Sequence, residues 1–261
     1  MKIATWNVNS IRTRKQQVRD WLSQQDVDIL CVQETKVTDE EFPKDYFEET
    51  GYKCYFYGQK SYNGVAILSR SSLECLYGFS GVIPGENSSI LDKQRRLMAA
   101  KIGEIIIVNV YVPNGNSVDS EKYHYKLNWL ANLRRYLEVL KEKHGDKIIM
   151  CGDFNIAPED IDIYNPQGKE NHIMASEKER KALKRILDLG FIDIFRKFRK
   201  EGNNFTWWDY RQNGFVRNRG WRIDHIYVTS ALEEEVLDCH IDIYPRKLEK
   251  PSDHAPVICN L

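Results

Sequence analysis

The chain has 261 residues, and its 38 Lys and Arg balance its 38 Asp and Glu, so the formal net charge is zero. This length can bury a full hydrophobic core, and 42% hydrophobic and 29% charged residues are ordinary fractions for a globular protein. A neutral chain excludes attraction to nucleic acid or anionic membrane through bulk charge. A local basic face would still suffice, because charges are screened over about 8–10 Å.

Strand-like runs and helical patterns alternate along the whole chain. Apolar runs rich in β-branched residues predict seven strands, in KIATWNV, DILCVQE, GVAILSR, EIIIVNVYV, KIIMCGDF, RIDHIYV and APVICNL. Between the first two, RTRKQQVRDWLSQQ places Val18, Trp21 and Leu22 on one helical face. This alternation predicts an α/β fold.

Two more helices are predicted further along the chain. Leucines recur with the period of an α-helix between Glu121 and His144, and Gly145 ends the pattern. The next helix begins at Ser176, where Glu179 completes a capping box, and runs to Gly190. Because the strands are apolar on both faces or alternate strongly, we expect helices to cover the sheets. No linker or repeat interrupts the pattern, so we expect one domain over residues 1–261.

The cysteines indicate a reducing compartment. The six are scattered, no C-x-x-C motif occurs, and several lie in apolar runs, where a free cysteine behaves as a small hydrophobic residue. We therefore expect free thiols and a cytoplasmic protein. The N-terminus lacks the apolar core of a signal peptide, and no apolar run approaches the ~18 residues of a transmembrane helix. We expect no membrane partner.

Polar side chains lie at or next to the ends of six predicted strands. They are Asn7 with Asn9, Gln33 with Glu34, Tyr111 with Asn114, Asp153 with Asn155, Asp224 with His225, and Asp253 with His254. Taken singly, each is more often a turn residue than a ligand. Six repetitions of the pattern favour a site instead, because ligands of open α/β sheets bind at the carboxyl ends of strands.

The residue types indicate a metal-assisted hydrolytic site. Carboxylate and amide oxygens, with no thiolate motif nearby, suit a hard cation such as Mg²⁺ or Mn²⁺ better than zinc. Without a cation, clustered carboxylates would repel one another and partly protonate. Hydrolysis of a phosphodiester needs an activated water and neutralisation of developing negative charge, which such a site supplies.

Eight ordered blocks carry a resemblance to a known family. WNVNSIR, DILCVQETK, NGVAILSR, NVYVPNG, CGDFNIAP, FTWWDYR, NRGWRIDHI and SDHAPV resemble exodeoxyribonuclease III, of the class II abasic-site endonucleases in the endonuclease/exonuclease/phosphatase superfamily. The resemblance implies a four-layered α/β sandwich of two packed mixed sheets flanked by helices. It also implies a Mg²⁺-dependent enzyme of base excision repair that cleaves duplex DNA 5′ to abasic sites, with 3′→5′ exonuclease and 3′-end-cleaning activity.

The same resemblance implies roles for the polar residues at the strand ends. Glu34 would be the main Mg²⁺ ligand beside Asn7, Asp153 would orient or deprotonate the attacking water, and Asp253 would be a second candidate ligand. The full implied sets are Asn7, Glu34, Asp153, Asn155, Asp253 and His254 for metal, and Tyr111, Asp153, Asn155, Asp224 and His254 for catalysis. Asp224 would pair with His254, which contacts the phosphate. Either one or two metal ions are compatible with these sets.

The segment FTWWDYRQNGFVRNRGWRID interleaves aromatic residues with arginines. Taken alone, the segment is more typical of aromatic residues in the core and arginines on a solvent-exposed face. The resemblance implies instead that Trp207, Trp221 and Ile223 form an apolar slot for a flipped-out deoxyribose without a base, whose extrusion costs least. Implied contacts to the DNA backbone are Asn114, Lys122, Lys126, Asn165 and Arg211, with Arg95 and Arg96 as further candidates. The expected partner is duplex DNA with abasic sites or blocked 3′ ends, bound by a monomer.

Two alternatives come from other classes of protein. A phosphatase of the same fold would act on a non-DNA phosphoester such as an inositol phosphate, and the blocks FTWWDYR and GWRID argue against it. A non-catalytic DNA-binding module would not need every candidate catalytic residue that this chain carries.

Overall fold

The computed structural model describes residues 1–261 and contains two six-stranded sheets packed face to face. In chain order its elements are β1 Lys2–Asn7, α1 Ile11–Gln25, β2 Ile29–Gln33, α2 Lys44–Glu48, β3 Lys53–Tyr57, β4 Val65–Ser69, β5 Glu74–Tyr77, α3 Glu86–Asp92, β6 Leu97–Ile102, β7 Ile105–Tyr111, α4 Glu121–His144, β8 Ile148–Asp153, α5 Glu177–Leu187, β9 Phe191–Asp193, α6 Ile194–Phe198, β10 Asp224–Thr229, β11 Asp238–Ile241 and β12 Val257–Asn260.

Each sheet is built around one parallel strand pair. The first sheet has the order β11-β12-β1-β2-β4-β3 and the second has the order β5-β6-β7-β8-β10-β9. The parallel pairs are β1 with β2, joined by α1, and β7 with β8, joined by α4. The other pairings are antiparallel, so both sheets are mixed.

Three apolar layers hold the fold together. One lies between the sheets, one lies under α4 and α5, and one lies under α1. In β7, Val108 and Val110 pack toward α4, whereas Ile107 packs between the sheets. A strand that is buried on both faces in this way has apolar residues at successive positions of its sequence. The predicted α/β fold with two packed mixed sheets and flanking helices is confirmed.

The long elements lie where the sequence predicts them. All seven predicted strands and the helices α1, α4 and α5 are present, and Ser176 and Glu179 form the predicted capping box. The elements without a prediction are β3, β5, β6, β9, β11, α2, α3 and α6, which have three to seven residues each. Four of the five strands, β3, β5, β9 and β11, lie at sheet edges, where fewer residues are buried and the apolar pattern that marks a central strand is weaker.

A buried amide bridge fixes the two sheets to each other. The Asn109 Nδ2 of β7 donates to the carbonyl oxygens of Val32, at 3.1 Å, and Ala66, at 2.9 Å, in the first sheet. Gln33 Nε2 donates to Asn109 Oδ1 at 2.8 Å and to Thr5 Oγ1 at 2.9 Å. Both amides are fully buried, and Gln33 immediately precedes Glu34. The bridge therefore sets the register of the sheets next to the polar strand ends.

The cysteines are free thiols, as the sequence predicts. All six cysteines are free, and four of them are buried. None of the helices combines the length and the apolar character needed to cross a bilayer.

Candidate active site

The polar strand ends meet at one edge of the sandwich. Asn7 ends β1 and Asp153 ends β8, and these strands lie in different sheets. Because β10 runs antiparallel to β8, its first residue Asp224 pairs directly with Asp153. The start of β12 likewise lies beside the end of β1, which brings His254 to the same edge. Four segments far apart in the chain thus deliver polar groups to one place.

Two carboxylates and one imidazole form the centre of this site. The ligand atoms of Glu34, Asp153 and His254 lie within 4.8 Å of one another. Asn7 Nδ2 donates to Glu34 Oε1 and to Asp153 Oδ2, both at 2.9 Å. Its Oδ1 accepts from the Asn9 N–H at 3.0 Å. In this arrangement Asn7 orients the carboxylates with its nitrogen, and its role as a metal ligand stays a prediction.

Lys36 is a site residue that we did not predict from the sequence. Its Nζ lies 2.8 Å from Glu34 Oε2 and donates to Asn9 Oδ1 at 2.6 Å. Burial opposes ionisation of Glu34, but Lys36 and the Asn7 hydrogen bond outweigh it and hold the pKa of Glu34 below its usual value. The position of Lys36 two residues after Glu34, in QETK, was the available signal. Glu34 is therefore a carboxylate at neutral pH.

A glycine is required where β8 delivers Asp153. Gly152 has φ +144°, and a Cβ there would lie 1.9 Å from the carbonyl oxygen of Val110 in β7. Asp153 Oδ1 accepts the Asn155 N–H at 2.9 Å. Burial first, and then repulsion from Asp224, raise the pKa of Asp153 to about 7. A carboxyl group with a pKa near neutrality suits a general base.

Asn155 is held on three sides, so its orientation is fixed. Its Nδ2 donates to the Val112 carbonyl at 3.0 Å and lies 3.3 Å from Asp153 Oδ2. Its Oδ1 accepts from Asn114 Nδ2 at 3.0 Å. Asn114 and Asn155 therefore form one chain of amides that ends at Asp153.

Tyr111 contributes a protonated hydroxyl. Its OH donates to Glu34 Oε1 at 2.8 Å, and the guanidinium of Arg96 lies 4.4 Å from its ring centroid. Burial and the charge of Glu34 raise the pKa of Tyr111 well above its ordinary value. Arg96 also donates to the Tyr111 carbonyl at 3.2 Å. The structure thus places Arg96 against Tyr111, a contact that the sequence did not predict.

The predicted contact between Asp224 and His254 is present. His254 Nδ1 lies 2.8 Å from Asp224 Oδ2, and Nε2 lies 3.9 Å from Asp153 Oδ2. Both residues are buried. Burial alone would lower the pKa of His254, but Asp224 and Asp153 outweigh it and raise that pKa to about 10. The imidazole is therefore a cation that can donate from Nε2 into the site.

The structure does not bring Asp253 into the carboxylate–imidazole cluster. Its Oδ1 accepts from Asn9 Nδ2 at 2.9 Å, and its Oδ2 accepts from the indole of Trp207 at 3.0 Å. Burial opposes ionisation of Asp253, but His254 and these hydrogen bonds lower its pKa. Asp253 thus connects the aromatic segment to the site, and its part in metal binding stays a prediction.

The aromatic segment lines two neighbouring cavities beside the site. The larger, of about 690 Å³, is lined by Asn114, Trp207, Arg211 and Trp221 among others, and the smaller, of about 400 Å³, by Asn165 and Trp221 among others. Ile223 is 1% exposed and packs behind Trp221. It supports the wall of the slot, and Trp207 and Trp221 form its surface.

The prediction that Lys126 contacts DNA directly is wrong. Its side chain is fully buried, and its Nζ pairs with Glu179 at 2.5 Å and donates to the carbonyls of Asn155 and Asn114. An α-helix buries one face, and Lys126 lies on the buried face of α4. Lys122 is exposed in the first turn of the same helix, so its predicted DNA contact is sterically open. The arginine at 222 is also buried, between Asp162 and Asp193.

The comparisons with known proteins cover nearly the whole chain. Residues 4–254 match the model of the Endonuclease/Exonuclease/phosphatase family. Exodeoxyribonuclease III of Haemophilus influenzae is 36% identical over 98% of both chains. An AP endonuclease structure from Archaeoglobus fulgidus is 43% identical with a TM-score of 0.91, covering 99% of this chain and 98% of that one. The Neisseria 3′ phosphatase NExo, bound to a product DNA hairpin, is 41% identical with a TM-score of 0.94, covering 100% and 99%. These likenesses confirm the resemblance in the motifs, and the chain belongs to the Endonuclease/Exonuclease/phosphatase family.

Proposed function

We propose that the chain is a Mg²⁺-dependent DNA repair nuclease that cleaves duplex DNA on the 5′ side of abasic sites. We further propose that it removes nucleotides and blocking groups from 3′ ends. Similar proteins are named as an exodeoxyribonuclease III, an AP endonuclease and a 3′ phosphatase, which supports this range of activities.

One observation carries the proposal for DNA: the slot and the hydrolytic centre share backbone. Trp207 forms bridges both with Trp221, in the slot, and with His254, in the site. A deoxyribose held between the tryptophans would therefore have its phosphate next to the carboxylates. A slot of this kind accepts a sugar without a base more readily than an intact nucleotide, which selects damage without reading sequence.

The residues fit a divalent cation. Glu34 and Asp153 offer hard oxygen ligands, and the charge of a bound cation would offset the repulsion from Asp224 that helps to raise the pKa of Asp153. We assign Glu34 as the main ligand, because protonated His254 is a poor one. When bound, Mg²⁺ would neutralise the negative charge that develops on the phosphate.

The chain's own groups would then perform the hydrolysis. Asp153 accepts a proton from the attacking water, because a bound cation would offset the repulsion that raises its pKa and so keep it a carboxylate. His254 donates to a phosphate oxygen through Nε2, Asp224 holds the imidazole through Nδ1, and Asn155 orients Asp153. Tyr111, which is protonated, stabilises the departing 3′ oxygen.

Incision of a labelled duplex tests the proposal. A duplex carrying one tetrahydrofuran abasic analogue should be cut on its 5′ side in Mg²⁺ and left intact in chelator. An end-labelled 3′-phosphate duplex tests the end-cleaning activity in the same assay. Absence of cleavage at both substrates, together with phosphate release from an inositol polyphosphate, would establish the phosphatase alternative instead.

The proposal also covers the cellular compartment and the oligomeric state of the enzyme. Six free cysteines are typical of proteins in reducing compartments, so we place the enzyme in the cytoplasm. We propose that it acts as a monomer, because every group assigned above comes from one chain.

A further inference from the structure

Lys169 covers one face of the slot tryptophan. Its Nζ lies 5.3 Å from the ring centroid of Trp221. It lines both the larger cavity, which also contains Trp207, and the smaller cavity. No other lysine lines either one. An aliphatic amine therefore faces the volume that we assign to the baseless sugar.

The environment of this amine favours its neutral form. Its one polar contact is donation to the Tyr164 carbonyl at 2.5 Å, which leaves the nitrogen without a carboxylate partner. Lys36 and Lys126, by contrast, pair with Glu34 and Glu179. Burial lowers the pKa of Lys169. A lowered pKa makes the free amine, which is the nucleophilic form of lysine, more accessible.

We propose that Lys169 captures abasic sites covalently, by forming an imine with the C1′ aldehyde of the ring-opened deoxyribose. The inference rests on the proposed function, because it needs the sugar in the slot. The lysine Nζ bonds to C1′, the C1′–oxygen double bond breaks, and the oxygen leaves as water after taking both amine hydrogens. No metal ion takes part, so capture and hydrolysis are separable activities of neighbouring groups.

Borohydride trapping in chelator tests the capture. The wild-type protein, a duplex with a natural abasic site and excess chelator are mixed with borohydride, which reduces an imine to a stable secondary amine. We expect a protein–DNA adduct on a denaturing gel, with the modified peptide containing Lys169. The tetrahydrofuran duplex has no aldehyde and should give none.

Two substitutions at the same position test whether the amine itself is required. Lys169→Gln and Lys169→Arg should both reduce the adduct to the level seen with the tetrahydrofuran duplex, because neither an amide nor an always-charged guanidinium provides the free amine that forms an imine. Lys178→Gln, on the exposed face of α5, is the matched control and should retain the adduct. The proposal that Lys169 forms the imine is wrong if the adduct persists in both Lys169 variants. It is also wrong if the wild-type protein gives no adduct. Incision of the tetrahydrofuran duplex in Mg²⁺ reports the proposed function independently.

Discussion

At the scale of single residues, Glu34 is a partly buried carboxylate of the site that three polar groups hold in place. It accepts from Asn7 and Tyr111 and pairs with Lys36. We expect Glu34→Ala to lose more than the roughly 10–100-fold of activity typical for residues that only support a metal ligand. Turnover at millimolar Mg²⁺ and binding of abasic DNA in chelator measure the two effects, and binding should persist. Wild-type turnover in this variant would remove Glu34 from the metal site.

Trp221 should decide selectivity for abasic DNA. It is 7% exposed, and Lys169 and His172 lie against its ring. Trp221→Ala enlarges the slot, so an intact nucleotide is no longer excluded. We expect the ratio of kcat/KM for abasic over intact duplex to fall by the equivalent of about 1–3 kcal/mol, by analogy with base stacking on aromatic side chains. An unchanged ratio would mean that this tryptophan only packs the core.

Asp224 should control the pH range of activity through His254. The pKa of His254 is about 10 despite burial, because Asp224 and Asp153 favour the imidazolium. Asp224→Asn keeps the shape but removes the charge, so that pKa falls toward its reference of about 6.5. The imidazolium is then lost at lower pH. We expect the alkaline limb of the pH–rate profile to move to lower pH, and titration of the His254 ring by NMR, without metal, to show the same shift.

Asp224 and His254 should also act as one unit. Residues that cooperate in a single step lose little more activity together than either loses alone. We therefore expect the double variant with Asp224→Asn and His254→Ala to retain far more activity than the product of the two single losses predicts. Multiplicative losses in single-turnover rates would mean that the 2.8 Å contact is not a functional pair.

At the scale of elements, one buried ion pair fastens α4 and α5 to the loops that carry the amides of the site. Lys126 of α4 pairs with Glu179 of α5 and donates to the carbonyls of Asn155 and Asn114. Glu179 also accepts the Met174 N–H at 3.1 Å. Two helices and two loops therefore meet at one ammonium group.

Breaking this pair should destabilise the protein strongly. Lys126→Met leaves a carboxylate buried without its cation, which costs about 3–5 kcal/mol of unfolding free energy. Denaturant unfolding measures the loss, and Lys122→Met, on the exposed face of the same helix, should change stability little. A double replacement of Lys126 and Glu179 by Met should recover much of the loss, because no unpaired charge is left. Equal losses in the single and double variants would argue against this account.

At the scale of the whole molecule, a buried network behind the site should make stability depend on pH. Arg222 donates to Asp162 and Asp193 and contacts His225 Nδ1 at 3.0 Å, while His225 Nε2 donates to the Ile156 carbonyl at 2.9 Å. In a neutral imidazole one ring nitrogen accepts a hydrogen bond and the other donates one, and His225 faces a donor at Nδ1 and an acceptor at Nε2. Burial, and then Arg222, lower the pKa of His225 to about 4.

The sign of the effect follows from proton binding. Between pH 6.5 and about 4 the unfolded chain protonates this histidine and the folded chain does not, so acid favours unfolding. We expect about 3 kcal/mol of unfolding free energy to be lost across this window, at about 1.4 kcal/mol per pKa unit. Asp153 contributes with the opposite sign, because its folded pKa is raised. The contribution of Asp153 is the same in wild type and in His225→Asn, so it cancels when the unfolding free energies of the two proteins are compared at each pH. Parallel curves of unfolding free energy against pH would contradict the prediction.

The sequence by itself determined the α/β class, the central strands, the long helices and the residue types of the site. These features are local: a long period identifies α1 and α4, and a polar residue after an apolar run marks a strand end. The repeated pattern was enough to predict a hydrolytic site, and the resemblance in the motifs assigned the roles of Glu34, Asp153 and His254. Short edge elements such as β9, with three residues, carried no comparable signal.

The tertiary structure alone decided which polar groups face the site and which are buried and paired with other residues. Lys126 and Lys122 lie on one helix and are chemically identical, yet one is fully buried and the other is exposed. Asp253 adjoins His254 in sequence but binds Asn9 and Trp207. The physical reason is that the free energy of burying a charge depends on partners that other segments supply, here Glu179 and the Trp207 indole.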